Sequence, residues 1–150
     1  MDKPLKRWTV VVCMLLVTPF LLMGTVQAED DFFLPGDRPI GELGTLLFFT
    51  SEHCPYCQQF KSEVQSIYAK TAIGGKLPMV EIEQDDAGDY EEWSQSVWFR
   101  PNFVILCPLG TVVGRIKGYQ GEEFWWADME TLTEAVQALI LSRRAAAVAR

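Results

Sequence analysis

Apolar and polar positions change period along this chain, and the changes mark its elements. Thr45-Leu46-Leu47-Phe48-Phe49-Thr50 is a short, continuously apolar run, which predicts a strand buried on both faces. Pro55 follows a short loop, Ser51–Cys54, and suits the first position of a helix, where its missing N–H is no loss. From there Cys57, Phe60, Val64 and Ile67 recur at spacings of three, four and three, one apolar helical face running to about Lys70. Gly74-Gly75 is predicted to end that helix. Leu77–Glu83 alternates, with Val80 and Ile82 on the inner face of a second strand. Asp85–Ser96 is acidic and weakly patterned, a short helix or loop. Asn102–Cys107 follows Pro101 as a strand, Pro108-Leu109-Gly110 turns, and Thr111–Lys117 returns to make a hairpin. Gly118–Gly121 breaks the chain again. Glu122–Arg144 reads as the last helix, with Phe124, Trp125, Met129, Leu132, Val136 and Leu139 or Ile140 as its stripe. Glu122 and Glu123 in its first turn and Arg143 and Arg144 near its end suit the helix dipole.

The order is β–α–β, then a β-hairpin, then α. This predicts an α/β fold with a central mixed four-stranded sheet flanked by helices on both faces. Its first unit is a parallel pair joined by a right-handed crossover. The domain spans 45–144, after an extended lead-in at 29–44 with turns at Pro35-Gly36 and Pro39-Ile40-Gly41. A short tail, 145–150, comes last.

The first 28 residues have a different pattern. Lys3, Lys6 and Arg7 precede an apolar run from Trp8 to Val26, and Val26 and Ala28 stand at −3 and −1 of a cut before Glu29-Asp30-Asp31. This is the pattern of a secretory signal peptide cleaved after Ala28. The rival reading is an uncleaved anchor, since the run is long enough to span a bilayer. Both place the rest of the chain outside the cytoplasm, and the short signal suggests a bacterial periplasm. Cys13 lies within the run and is expected to have no chemistry.

Composition narrows the function. Of 150 residues, 13 are basic and 20 acidic. Removing 1–28 leaves 10 basic and 19 acidic side chains, a formal charge of −9. An acidic surface repels phosphate backbones, so nucleic-acid binding is excluded as the main function. The remaining domain is large enough for an ordinary core. Four cysteines are too few for a disulfide-built miniprotein. The acidic run Glu81, Glu83, Asp85, Asp86 and Asp89 reads as a solvated face.

The chemistry lies in Cys54-Pro55-Tyr56-Cys57. Two cysteines three apart at a strand-to-helix junction can close a small disulfide ring. Cys54 would cap the helix and face unpaired N–H groups that stabilise a thiolate, the attacking species. Cys57 falls on the inward stripe and should be shielded. Cys54 would then attack a partner's disulfide and Cys57 resolve the mixed disulfide. Reversed, the same steps oxidise a partner. Two bland alternatives stand beside this. A permanent disulfide here would stabilise little, because so short a loop cross-links little chain. Zinc usually needs four ligands, and the exported chain offers three Cys and one His with no second CxxC. No metal or other cofactor is expected. His53, if protonated, would lower the Cys54 pKa further; otherwise it is a loop histidine in water. Cys107 reads as a small buried hydrophobe or as an extra thiol. The Trp98-Phe99 and Trp125-Trp126 pairs read as mostly core, an exposed member serving as an apolar rim for a partner.

The Cys-Pro-Tyr-Cys loop, the strand before it and Pro101 before a strand resemble the thioredoxin superfamily over roughly Leu43–Ile140. The stretches Arg100–Val104 and Gly114–Trp126 resemble more narrowly the periplasmic thioredoxin-like SoxS proteins of bacterial sulfur-oxidation clusters. The resemblance implies a thioredoxin fold. It implies that Cys54 is the nucleophile, Cys57 the resolving thiol, and Pro101 the proline after a cis peptide bond. It implies that Pro55, Tyr56, Arg100 and Gly118 line a groove where Arg100 offers its backbone to an extended partner segment. The sequence also departs from the family. Phe48 stands where thioredoxins keep a buried acid, His53 where they have Trp, and Pro-Tyr where they commonly have Gly-Pro. Glutaredoxins share Pro-Tyr, but Gly118–Glu123 lacks their glutathione-binding pattern.

The leading expectation is thus a monomeric, exported thiol–disulfide oxidoreductase acting on protein disulfides. The Sox resemblance makes it a reductase of a sulfur-oxidation carrier protein, fed by a membrane thiol electron carrier. The alternatives are a disulfide-forming oxidase and a CxxC module that senses redox state or carries metal. Only His53 lies near the pair as a further ligand, which weighs against copper delivery.

Overall fold

The computed structural model describes residues 32–94 and 99–149. Residues 1–28, where the sequence predicts an export signal, and Trp98 lie outside the described residues. Strand β1 (Thr45–Phe49) has every residue buried. It is parallel to β2 (Met79–Ile82) on one edge and antiparallel to β3 (Asn102–Leu106) on the other. A strand paired on both edges and covered on both faces has no solvent side, so its sequence is continuously apolar instead of alternating. β4 (Val112–Lys117) completes the order β2-β1-β3-β4, antiparallel to β3 with a shift of register between Ile105 and Leu106. This is the mixed four-stranded sheet of the thioredoxin fold.

Leu46, Phe48, Phe103, Ile105 and Ile116 point to one face of the sheet. They meet α1 (Pro55–Phe60) and its continuation, and α5 (Glu122–Val148), in one apolar core. Leu47, Phe49, Val80, Ile82, Val104 and Leu106 point to the other face. That face is covered by a 3-10 helix (Gln84–Tyr90) and α4 (Glu91–Ser94), through Tyr90 and Trp93, and by the lead-in, through Leu34 with Phe32 and Ile40 at its margin. The Tyr90 hydroxyl donates to the Pro35 carbonyl at 3.0 Å.

Several details depart from the pattern. After α1 the helix widens into a π turn at Lys61–Gln65 before a last α turn, α2 (Ser66–Tyr68). A π turn takes up an extra residue, which rotates the helical positions beyond it. Tyr68, not Ile67, therefore points inward: Tyr68 is 2% exposed and Ile67 42%. The Tyr68 hydroxyl donates to the Leu77 carbonyl at 2.7 Å. Gly74-Gly75 does not end a helix but lies within a short one, α3 (Ala72–Lys76), capped by the Thr71 hydroxyl, which accepts from Gly74 N–H. Gly74 is required by close approach, since a Cβ there would stand 2.0 Å from the Tyr68 carbonyl oxygen.

Helix α5 continues past Arg144 to Val148. Its inner stripe is Trp125, Met129, Thr133 and Val136. Leu132 and Ile140 pack at the margin, whereas Phe124, predicted to face inward, is 65% exposed. Its one-residue offset from Trp125 carries it off the buried face. Glu81 pairs with Lys61 and accepts from Gln65 at 2.6 Å, while Asp85, Asp86 and Asp89 are exposed. Among the described residues no helix is long and apolar enough to cross a membrane.

Candidate active site

The C-terminal end of β1 carries the chemistry because three chain segments leave the sheet there. Phe49 is paired with Asn102, and Asn102 with Lys117. The Cys loop after β1, Pro101 before β3 and Gly118 after β4 thus stand at one end of three adjacent strands. Two of them are joined directly: Gly118 N–H donates to the Pro101 carbonyl at 2.8 Å. Gly118 needs its glycine, since its φ is +80°. The Arg100-Pro101 peptide is cis, as the family resemblance implied. Arg100 lies over the Phe49 ring, its guanidinium carbon 5.7 Å from the ring centre.

Cys54 and Cys57 form a disulfide with a Cα–Cα distance of 5.2 Å. Cys54 is the N-cap of α1, in extended backbone, and Pro55 opens the helix. The Cys57 N–H donates to Cys54 Sγ at 3.1 Å. The cap therefore aims an N–H at Cys54 sulfur, the arrangement that stabilises a thiolate once the bond is reduced. The two cysteines differ in burial. Cys54 is half-buried, whereas Cys57 is fully buried beside Phe60 and Val64. Tyr56, between them, is 60% exposed.

Behind Cys57 the wall is aromatic. Phe48 stacks on Phe103 with ring centres 5.0 Å apart, and Phe60 lies 4.8 Å from Phe48 and 4.6 Å from Phe103. Among the described residues no Asp or Glu is buried. Among the described residues, then, no buried carboxylate stands ready as a base for Cys57.

His53 is exposed and lines a polar cleft with Ser51, Glu52, Glu83, Gln84 and Asp85. It makes no hydrogen bond or ion pair with a described residue. Cys107 is buried and unpaired. It follows Leu106, which pairs with Thr45, so it lies at the end of the sheet opposite the disulfide. Sequence reasoning missed two features near the pair. The Thr50 hydroxyl is fully buried and has no hydrogen-bond partner among the described residues. Tyr119, beside Gly118, donates from its hydroxyl to Glu63 of the π turn at 2.6 Å. The placement of Thr50 at the end of an apolar run was a usable signal for the first; nothing local signals the second. No group of three or more His, Cys, Asp or Glu side chains among the described residues is placed to hold a metal ion.

A family model described as a thioredoxin-like domain matches residues 40–132. Among solved structures, the reduced periplasmic thioredoxin SoxS from Paracoccus pantotrophus is 27% identical, with a TM-score of 0.52 over 61% of this chain and 96% of that one. A DsbH oxidoreductase is 17% identical, with a TM-score of 0.48 over 60% of this chain and 72% of that one. A thioredoxin from Thermus thermophilus is 23% identical, with a TM-score of 0.45 over 59% of this chain and 72% of that one. No curated protein sequence matches the chain. A family match over more than half the chain, on a fold that places a Cys-Pro-Tyr-Cys disulfide at a helix start, means that this chain belongs to the thioredoxin-like family and is a thiol–disulfide oxidoreductase.

Proposed function

We propose that this protein is an exported, periplasmic reductase of protein disulfides, with Cys54 as nucleophile and Cys57 as resolving thiol. The observation that carries the reading is the asymmetry of the pair: Cys54 is half-buried with an N–H aimed at its sulfur, and Cys57 is fully buried. In the reduced protein the Cys54 thiolate attacks a partner's disulfide. A Cys54–partner disulfide forms, and the partner's other sulfur leaves as a thiolate that takes up a proton. Cys57 then loses its proton to solvent and attacks Cys54 Sγ. The Cys54–Cys57 bond forms and the second partner thiolate leaves. Two electrons pass from dithiol to partner, and a membrane thiol carrier returns them.

The groove reading rests on Pro55, Tyr56, Arg100, Pro101 and Gly118 at one end of the sheet. Exposed Tyr56, Phe99 and Phe124, on the segments around the same end, supply apolar surface suited to a protein partner. The similarity to the periplasmic SoxS, and the signal pattern ending at Ala28, support export and a sulfur-oxidation carrier protein as partner. The protein is proposed to act as a monomer.

Trapping tests the roles. A Cys57→Ser variant expressed with its export segment in its host should accumulate disulfide-linked adducts that collapse on reduction, with a sulfur-oxidation carrier among them. Cys54→Ser should give far fewer. Equal trapping by both variants would refute the role assignment. Alkylation of cellular thiols reads the direction: a mostly reduced CxxC supports a reductase, and a mostly oxidised one an oxidase.

A further inference from the structure

The Gly118 loop is little constrained by packing at Gly118 itself. A Cβ built there meets nothing within 4 Å. Its position is set by its ends: Gly118 N–H on the Pro101 carbonyl, and the next residue, Tyr119. Tyr119 is 5% exposed. Its ring meets Phe60 edge-on with centres 5.5 Å apart. Its hydroxyl donates to Glu63 Oε2 at 2.6 Å. Glu63 Oε1 accepts from Gln59 Nε2 at 3.1 Å, which orients the carboxylate. Phe60 and Glu63 follow Cys57 at helical spacing, the second inside the π turn. The other flank of that turn is tied down by Lys61 and Gln65 on Glu81 of β2. The turn is thus fastened to the sheet on one side and to the loop on the other. π turns recur at functional sites.

We propose that Tyr119 is a positioning residue: its hydrogen bond to Glu63 sets where the Gly118 loop stands relative to the helix that carries the cysteines, and so sets how well a protein partner seats. The proposal rests on the reading of Gly118 as a wall of the partner groove. A phenylalanine would fill the same slot against Phe60; only the oxygen reaches Glu63. The bond is of the short, charge-assisted kind. It holds the Glu63 carboxyl below its ordinary value. Burial, with Glu63's bond and charge, pushes the Tyr119 phenol up, so the donor stays protonated across the working range. Glu63 is exposed, so removing the donor leaves its charge in water and not stranded in the core.

The test uses insulin as a protein disulfide and 5,5′-dithiobis(2-nitrobenzoic acid) as a small one that needs no groove. Tyr119→Phe should raise KM for insulin roughly threefold to tenfold, the range that loss of one hydrogen bond can supply. Its kcat, and its rate with the small disulfide, should stay within about twofold. Glu63→Ala should reproduce this, and Glu63→Gln, which keeps an acceptor, should restore KM. An unchanged insulin KM in Tyr119→Phe, or equal effects of Glu63→Gln and Glu63→Ala, overturns the proposal alone. A wild-type protein inactive on insulin overturns the functional reading and this proposal with it.

Discussion

Two glycines, Gly118 and Gly75, offer a controlled comparison because neither is crowded. A Cβ built at either position meets nothing within 4 Å. Gly118 has a φ of +80°, whereas Gly75 lies inside α3 without a positive φ. Replacing Gly118 with Ala therefore adds no clash and costs only the left-handed backbone, about 1–2 kcal/mol. For a domain of this size each kcal/mol shifts Tm by roughly 4–8 °C, so Gly118→Ala should lower Tm by about 4–16 °C. Gly75→Ala should go the other way, by up to about 1 kcal/mol, since helix propensity favours alanine. Thermal unfolding of the oxidised protein by circular dichroism reads both. The methyl at position 118 also enters the open space beside Pro101, where a partner backbone would lie. KM for insulin should therefore rise in Gly118→Ala and stay unchanged in Gly75→Ala. Equal stability of Gly118→Ala and the parent would refute the backbone argument. The expected fall in Tm with an unchanged KM would remove Gly118 from the groove.

Thr50→Val replaces a buried hydroxyl that lacks a partner among the described residues by a methyl of similar shape, and should stabilise the fold by about 1 kcal/mol; a variant no more stable in urea than the parent refutes this. In the reduced protein, Cys54 should alkylate with a midpoint below the free-thiol value of about 8.5, and Cys57 should react more slowly; the reverse order in mass-resolved alkylation refutes the cap argument. Burial alone would raise the Glu81 carboxyl, but the hydrogen bonds from Lys61 and Gln65 and the Lys61 charge outweigh it and hold it below 4.5. A carboxyl depressed in the folded state adds stability above its unfolded value, lost as pH falls through the folded one. Denaturant midpoints should thus decline below about pH 4.5, and Lys61→Met should flatten the decline; an unaltered slope refutes the pairing.

The elements and the reactive pair were legible because their signals are local. β1 announces itself by an unbroken apolar run, and a buried central strand has no other option. Cys54, Pro55 and Cys57 sit within one helical turn, so cap, first position and inward face follow from spacing alone. The order of elements and the rule of right-handed crossovers then leave few topologies. The cis peptide at Pro101 was reached differently, through family resemblance, since the local sequence carries no such signal.

The departures share one cause: each depends on a contact with another part of the fold that periodicity within one element does not carry. The π turn at Lys61–Gln65 moved the buried face from Ile67 to Tyr68, and Tyr68 is held by Leu77 and by Trp126 of α5. Gly74 looked like a terminator because glycine often is one, but its role is to let α3 approach the Tyr68 carbonyl. Phe124 and Trp125 are both large and apolar, and periodicity alone could not choose which turned inward; the aromatic wall of Phe60 and Phe103 took Trp125. In the same way only the antiparallel pairing of β1 with β3 sends Cys107 to the far end of the sheet while bringing Pro101 beside the Cys loop. The amino-acid order settled which residues could do redox chemistry, because thiolate stabilisation at a helix start acts within one turn. The folded sheet settled what surrounds them, because Pro101, Gly118 and Tyr119 meet the Cys loop only once β1, β3 and β4 lie side by side.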